Sequence, residues 1–291
     1  MRKLWTIGGL ALLGMAAPMM VAAGSGPAAA AAATPRVAAN PVLYHQPLLG
    51  RHAVNGVQLR HLTDVNSTNW SGYADINDTF QTVSGSWIEP TVTCSTGGGG
   101  LLGGLGLGSS ATYSSFWVGL DGYTSSSVEQ TGTDADCSRT GQPTYYAWYE
   151  MFPAGSVDLS TSTYPVSPGD KMTGMVMSNA SGGFALILAD AQKGWKFTFN
   201  AQGSGMARSS AEWVAEAPSV CPLLFCSPLT LANFGNVTFT NAAATDVTNH
   251  LGSISAFPDA AISMASGGTV RATPGPLTAG GSSFTDTWNN S

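Results

Sequence analysis

Positive charge is scarce in this sequence. Of 291 residues only 11 are Lys or Arg, against 17 Asp or Glu. From Asn66 onward the asymmetry sharpens: Arg139, Lys171, Lys193, Lys196, Arg208 and Arg271 stand against 16 acids. Such a surface argues against nucleic acid as a partner, because phosphates are held by clustered Lys and Arg. It also leaves carboxylates to repel one another unless they are protonated, which suits a chain that works in acid. An ordinary secreted acidic protein would have the same balance. Histidine is equally rare, with His45, His52, His61 and His250 only. A Ser-His-Asp triad beyond residue 65 would therefore have to use His250, and no Gly-x-Ser-x-Gly elbow is present. The pepsin-like Asp-Thr-Gly phrase is missing as well. Nor does any segment show a long helical period.

Long apolar runs are missing too, except at the start. Arg2 and Lys3 precede the apolar stretch Leu4 to Ala23, and small residues suited to cleavage follow. Residues 1–33 therefore read as a secretory signal peptide. Residues 34–65 carry Arg36, His45, Arg51, His52, Arg60 and His61 against the single acid Asp64. No strong strand period runs through them, and they read as a propeptide or N-terminal arm. Residues 66–291 remain for one large domain.

Within that domain the pattern is strand-like. Phe184, Leu186 and Leu188 alternate with Ala185, Ile187 and Ala189; beyond a Gly-containing turn, Trp195, Phe197 and Phe199 alternate with Lys196, Thr198 and Asn200. Two such runs predict a hairpin. Residues 171–178 alternate in the same way, and 79–88 and 233–240 are rich in Val, Thr, Phe and Trp. With 36 Gly and 16 Pro the chain is predicted to be all-β, an antiparallel β-sandwich. The Gly-rich stretch Ser95 to Ser110 lacks the Gly-Lys-Ser/Thr of a phosphate loop and reads as a connection.

The four cysteines lie in the exported part, and their even count fits two disulfides in an oxidising compartment. Cys221 and Cys226 bracket a short loop and are paired on that ground, which leaves Cys94 with Cys137. Their spacing is wrong for zinc, and His250 is the one imidazole at hand, so no metal is expected.

Four phrases carry the chemistry, in this order. They are Phe116-Trp117-Val118-Gly119-Leu120-Asp121-Gly122, Ser127-Val128-Glu129-Gln130-Thr131-Gly132, Tyr146-Ala147-Trp148-Tyr149-Glu150-Met151-Phe152-Pro153 and Ala211-Glu212-Trp213-Val214-Ala215-Glu216. Together with the cysteines they resemble the glutamic peptidases (eqolisins), over about residues 69–241. Beyond Ala244 the motif is of little use. The resemblance implies two strongly curved, concanavalin-like sheets whose concave face holds the site. It implies an acid endopeptidase in which Gln130 and Glu216 activate water, with no cofactor and no covalent intermediate. Glu216 would be the base, and Gln130 the donor to the developing oxyanion. Trp117 and Trp148 would wall the cleft, Asp121 and Glu150 would be supporting acids joined by Asp134, and Trp70 would open the first strand. Glu212 shares a strand face with Glu216 at a distance of about 13 Å, and Glu129 should point away from Gln130.

The implied protein is secreted, monomeric and free of the membrane after signal cleavage, and it acts on protein or peptide substrates. Two other readings of the same residues stay open. One is a glycoside hydrolase using Glu150 and Glu216, with tryptophans stacking on sugar. The other is a non-catalytic extracellular binding sandwich.

Overall fold

The computed structural model describes residues 42–50, 52–53, 64–95, 110–203, 205–222 and 225–291. The signal peptide reading and nearly all of the Gly-rich stretch lie outside them. The described residues hold no α-helix, and no helix among them is long and apolar enough to cross a membrane.

The strands form the expected antiparallel sandwich. One layer runs in the order Pro143–Phe152, Val128–Cys137, Ser115–Leu120, Ser210–Glu216, Trp70–Ile76 and Asp259–Ser266. The other runs Phe284–Trp288, Asn236–Asp246, Phe80–Ile88, Lys171–Ser178, Gly183–Asp190 and Trp195–Gln202. Strand Thr269–Pro274 pairs with Asp259–Ser266 and with Phe284–Trp288, and so joins the layers. Val65–Ser67 adds a short parallel pairing to Asp259–Ser266. This strand straddles the boundary expected between arm and domain.

The three strands read from alternation lie at one end of the second layer, where one face meets solvent. Trp195–Gln202 alternates half-buried and exposed positions along its whole length. Between the layers Trp87, Val118, Trp213, Phe239 and Phe284 form the core. Approach is closest at two glycines. A Cβ on Gly85 would stand 2.7 Å from Trp213 Cδ1, and one on Gly174 would stand 2.8 Å from a Val118 methyl.

Four neighbouring strands of the first layer are buried on both faces: Trp70–Ile76, Ser115–Leu120, Val128–Cys137 and Ser210–Glu216. Their outer face carries a second apolar cluster that includes Trp70, Trp117, Trp148 and Val214. That burial places acids and amides in a nearly dry setting, and the site is there.

Both disulfides pair as expected, Cys94 with Cys137 and Cys221 with Cys226, and no described cysteine is free. The first closes a separation of 43 residues and the second only 5. Loop-closure entropy then restricts the unfolded chain by about 4 kcal/mol and about 2 kcal/mol respectively. Replacing Cys94 and Cys137 by Ser should therefore lower the denaturation midpoint more than replacing Cys221 and Cys226. Equal midpoints in paired urea titrations would contradict that ranking.

Candidate active site

Cross-strand register lays out the site in rows. Glu212 lies opposite Gly119, which lies opposite Gln130, which lies opposite Glu150. Two positions along, Val214, Trp117, Gly132 and Trp148 form the next row, and two further on come Glu216, Ser115, Asp134 and Tyr146. All these side chains share one face because strand side chains alternate. Glu129 falls on the opposite face, as expected. Gly119 keeps the first row open, since a Cβ there would stand 3.0 Å from the Trp117 ring and 3.1 Å from Gln130 Cβ.

Gln130, Glu150, Asp134 and Glu216 are all fully buried. Gln130 Nε2 donates to Glu150 Oε2 at 2.9 Å, and its Oε1 has no partner among the described residues. Glu216 accepts from Trp117 Nε1 at 2.8 Å and from Asn69 Nδ2 at 3.2 Å. Trp70 meets Trp117 edge-on, with ring centroids 4.9 Å apart. Asp134 accepts from Ser115 Oγ and, at 2.9 Å, from the Tyr146 hydroxyl.

Part of the basic N-terminal segment lies in this cleft. Its imidazole, His45, stacks flat on Trp148 with centroids 3.6 Å apart and planes 2° from parallel. Nδ1 stands 3.2 Å from Glu150 Oε2, and Nε2 stands 2.8 Å from Ser115 Oγ and 3.4 Å from Asp134 Oδ1. The main chain is held as well. Gln130 Nε2 donates to the His45 carbonyl at 2.5 Å, and Trp70 Nε1 donates to the Gln46 carbonyl at 2.9 Å. Asn69 Nδ2 reaches the Gln46 and Pro47 carbonyls, each at 3.2 Å. The segment therefore joins the surroundings of Gln130 to those of Glu216.

The matched phrases do not all converge. Trp70, Trp117, Trp148, Glu150 and Asp134 surround the segment that Gln130 and Glu216 flank. Asp121 lies apart. It follows the last residue of its strand at φ 72°, and its carboxylate accepts from the backbone N–H groups of Arg208 at 2.6 Å and Ser209 at 2.9 Å. It fastens a turn. Glu212 is aligned with Gln130 in register, but the acids around it are Asp121, Glu129 and Asp75. Register aligns Glu212 with Gln130, whereas Glu216 is linked to the bound segment through Asn69, which donates to Glu216 and to the Gln46 and Pro47 carbonyls. Sequence reasoning missed His45, Ser115 and Asn69. Asn69 opens the phrase Asn69-Trp70-Ser71-Gly72-Tyr73, and that was its one signal.

Burial dominates the electrostatics. It pushes Glu216 and Glu212 well above the usual carboxylate range; His45, Trp117 and Asn69 pull Glu216 back in part. Burial opposes charge on His45, yet hydrogen bonds to Asp134 and Glu150 outweigh it and raise the imidazole to about 10. On the core side, Glu89 is raised to about 8 by burial, and Asp286 likewise. Burial and then Asp121 raise Glu129 to about 9.

An acid with a raised folded pKa binds its proton more tightly in the fold than in the unfolded chain. Its stabilisation is complete below about pH 4, where the unfolded carboxyls titrate, and fades as pH rises through the folded value. For His45 the contribution is complete below 6.5 and fades towards about 10. All these groups point the same way. Melting temperature should be highest in acid, begin to fall above about pH 4 and go on falling until about pH 9. A maximum at neutral pH in melts from pH 3 to 9 would contradict this.

The Peptidase A4 family matches residues 68–281, which extends well past Ala244, where the motif phrases gave out. Aspergillopepsin-2 of Aspergillus niger is 35% identical over 189 residues, covering 62% of this chain and 64% of that protein. Scytalidopepsin B of Scytalidium lignicola is 32% identical over 158 residues, covering 53% of each. The chain thus spans less than two thirds of the length of these two relatives. Among solved structures, scytalido-glutamic peptidase with a transition state analog inhibitor superposes with a TM-score of 0.63 at 23% identity, covering 76% of this chain and 98% of that one. Aspergilloglutamic peptidase from Aspergillus niger gives 0.52 at 29% identity, covering 61% and 99%. The phrases, the sandwich and a family match over most of the sequence lead to one conclusion: the chain belongs to the Peptidase A4 family.

Proposed function

We propose that this chain is a secreted acid endopeptidase in which Gln130 and Glu216 activate water against a peptide carbonyl. One observation carries the reading. Gln130 Nε2 donates to a main-chain carbonyl, that of His45, inside a cleft where Glu216 lies against the next two residues through Asn69. An amide donor aimed at a peptide oxygen is what an oxyanion site requires.

The steps follow from the groups present. Water adds to the carbonyl carbon while Glu216 takes its proton. Negative charge gathers on the former carbonyl oxygen, where Gln130 Nε2 donates. Gln130 Oε1, buried and without a partner among the described residues, would accept from the attacking water. Glu216 then passes the proton to the leaving nitrogen as the C–N bond breaks. Glutamine does not titrate, so its donor persists in strong acid. Hydrogen bonds from Trp117 and Asn69 support the ionised form of Glu216.

The segment 42–50 would be the inhibitory part of a propeptide. It blocks access to Gln130. Its bulk adds to the burial that raises Glu216, while the His45 side chain opposes that shift. Two solved structures of this fold bear on the substrate class. One holds scytalido-glutamic peptidase with a peptide-based transition state analog, and the other holds SCP-B, a member of the eqolisin family, with the tripeptide Ala-Ile-His. By extension the substrate here is a peptide chain. The glycosidase reading is weaker, because Glu150 is engaged by Gln130 and by the His45 main-chain and ring nitrogens. Digestion of an unfolded protein at about pH 3.5 tests the reading, with new α-amino groups as the readout.

A further inference from the structure

The bound segment is read along its backbone and through one side chain. Tyr44 exchanges two main-chain hydrogen bonds with Ser219, each 2.9 Å. The His45 N–H donates to Glu150 Oε2 at 2.9 Å, and the Leu49 N–H to Asn69 Oδ1 at 2.9 Å. Leu48 N–H donates to the Gly122 carbonyl at 3.0 Å. Backbone contacts of this kind accept most sequences. The His45 side chain is different, being buried between a tryptophan face and acceptors at both edges of the ring.

We propose that the pocket formed by Trp148, Glu150, Ser115 and Asp134 selects histidine as the residue that supplies the scissile carbonyl, and that His45–Gln46 is this chain's own processing bond. The proposal rests on the peptidase reading above and goes further, to the residue the cleft prefers. The carbonyl that Gln130 addresses belongs to His45, and the side chain of that same residue fills the pocket.

The fit is chemical as well as spatial. An imidazolium carries one N–H at each ring edge. Here one edge faces Glu150, and the other faces Ser115 and Asp134. Phenylalanine could stack on Trp148 but has no N–H to offer Glu150 at one edge or Ser115 and Asp134 at the other, so it would forgo those buried hydrogen bonds. Alanine would lose the stacking and the hydrogen bonds. Lysine brings charge without a flat face. Arginine is flat, charged and edge-donating, so it is the competitor that the experiment must include.

In the step itself, a water oxygen bonds to the His45 carbonyl carbon and the bond to the Gln46 nitrogen breaks. One water proton passes through Glu216 to that nitrogen, which leaves as an amine, and His45 keeps the new carboxyl group. No other reactant is needed.

Two measurements test the proposal. The first is mass mapping of the purified full chain held at about pH 4. Wild type should acquire a terminus at Gln46; H45A should lack that terminus, and E216Q should stay uncut. The second uses peptides Val-Leu-Tyr-X-Gln-Pro-Leu-Leu, with X as His, Arg, Phe or Ala, beside an unfolded carrier protein. The His peptide should exceed the Ala peptide in kcat/KM by at least ~10-fold and rank above Arg and Phe. D134N should lower the His-to-Phe ratio. Carrier digestion with equal rates for His and Ala, or with no terminus at Gln46, overturns the inference and leaves the peptidase reading standing. No digestion of the carrier overturns both.

Discussion

Replacing Glu216 by Gln should lower kcat/KM on an unfolded protein substrate by at least ~10²-fold, because it removes the base that takes the proton of water. The fold should not suffer. Glu216 is fully buried and burial raises its pKa, so losing the titrating group removes a cost that grows as pH rises. The variant should therefore melt no lower than wild type above about pH 6 while being inactive. That separation of stability from activity distinguishes a catalytic group from a structural one. Glu212→Gln is the comparison. Glu212 is equally buried and lies in the Gln130 row, but its neighbours are other acids and not the bound segment. It should retain turnover within about 10-fold of wild type. If the two variants rank in the opposite order, the base is Glu212.

Replacing Gln130 by Ala should cost about 10²- to 10³-fold in kcat, the loss expected when one oxyanion donor is removed. The change removes the amide that holds the His45 carbonyl at 2.5 Å, so the arm should also bind less tightly. Gln130→Glu gives a second readout. An ionised carboxylate cannot donate to an oxyanion, and a protonated one can. Activity of that variant should fall at every pH and shift towards stronger acid. A pH–rate profile parallel to that of wild type would argue that Gln130 only shapes the cleft.

What was legible in the sequence follows from where each strand lies. Lys171–Ser178, Gly183–Asp190 and Trp195–Gln202 were readable because one face meets solvent, so their residues alternate. The central strands carry no such alternation, since Trp70–Ile76 and Val128–Cys137 are buried on both faces. They were readable only through their phrases. The resemblance grouped Trp117, Trp148, Glu150 and Asp134 with Gln130 and Glu216; in the structure Gln130, Glu150, Trp148 and Asp134 contact the bound segment, and Trp117 donates to Glu216, which is linked to the segment through Asn69. The phrases could not place Asp121, because its position depends on the chain turning away after Leu120. His45 was illegible for another reason. The arm has no period, and its conformation is set by partners more than 60 residues away, Ser115, Gln130, Trp148 and Glu150. Its basic character was readable; the residue that does the docking was not.

The most direct test of the central claim is a double-substitution cycle on Gln130 and Glu216. Rates of peptide-bond hydrolysis are measured at about pH 3.5 on one unfolded substrate, for wild type, Q130A, E216Q and the double variant, each freed of its N-terminal arm. Groups that act together on one water and one carbonyl lose their effect together. The account predicts that both single variants fall by at least ~10²-fold and that the double variant is scarcely slower than the slower of them. Turnover near that of wild type in either single variant, or losses that multiply in the double, would contradict it.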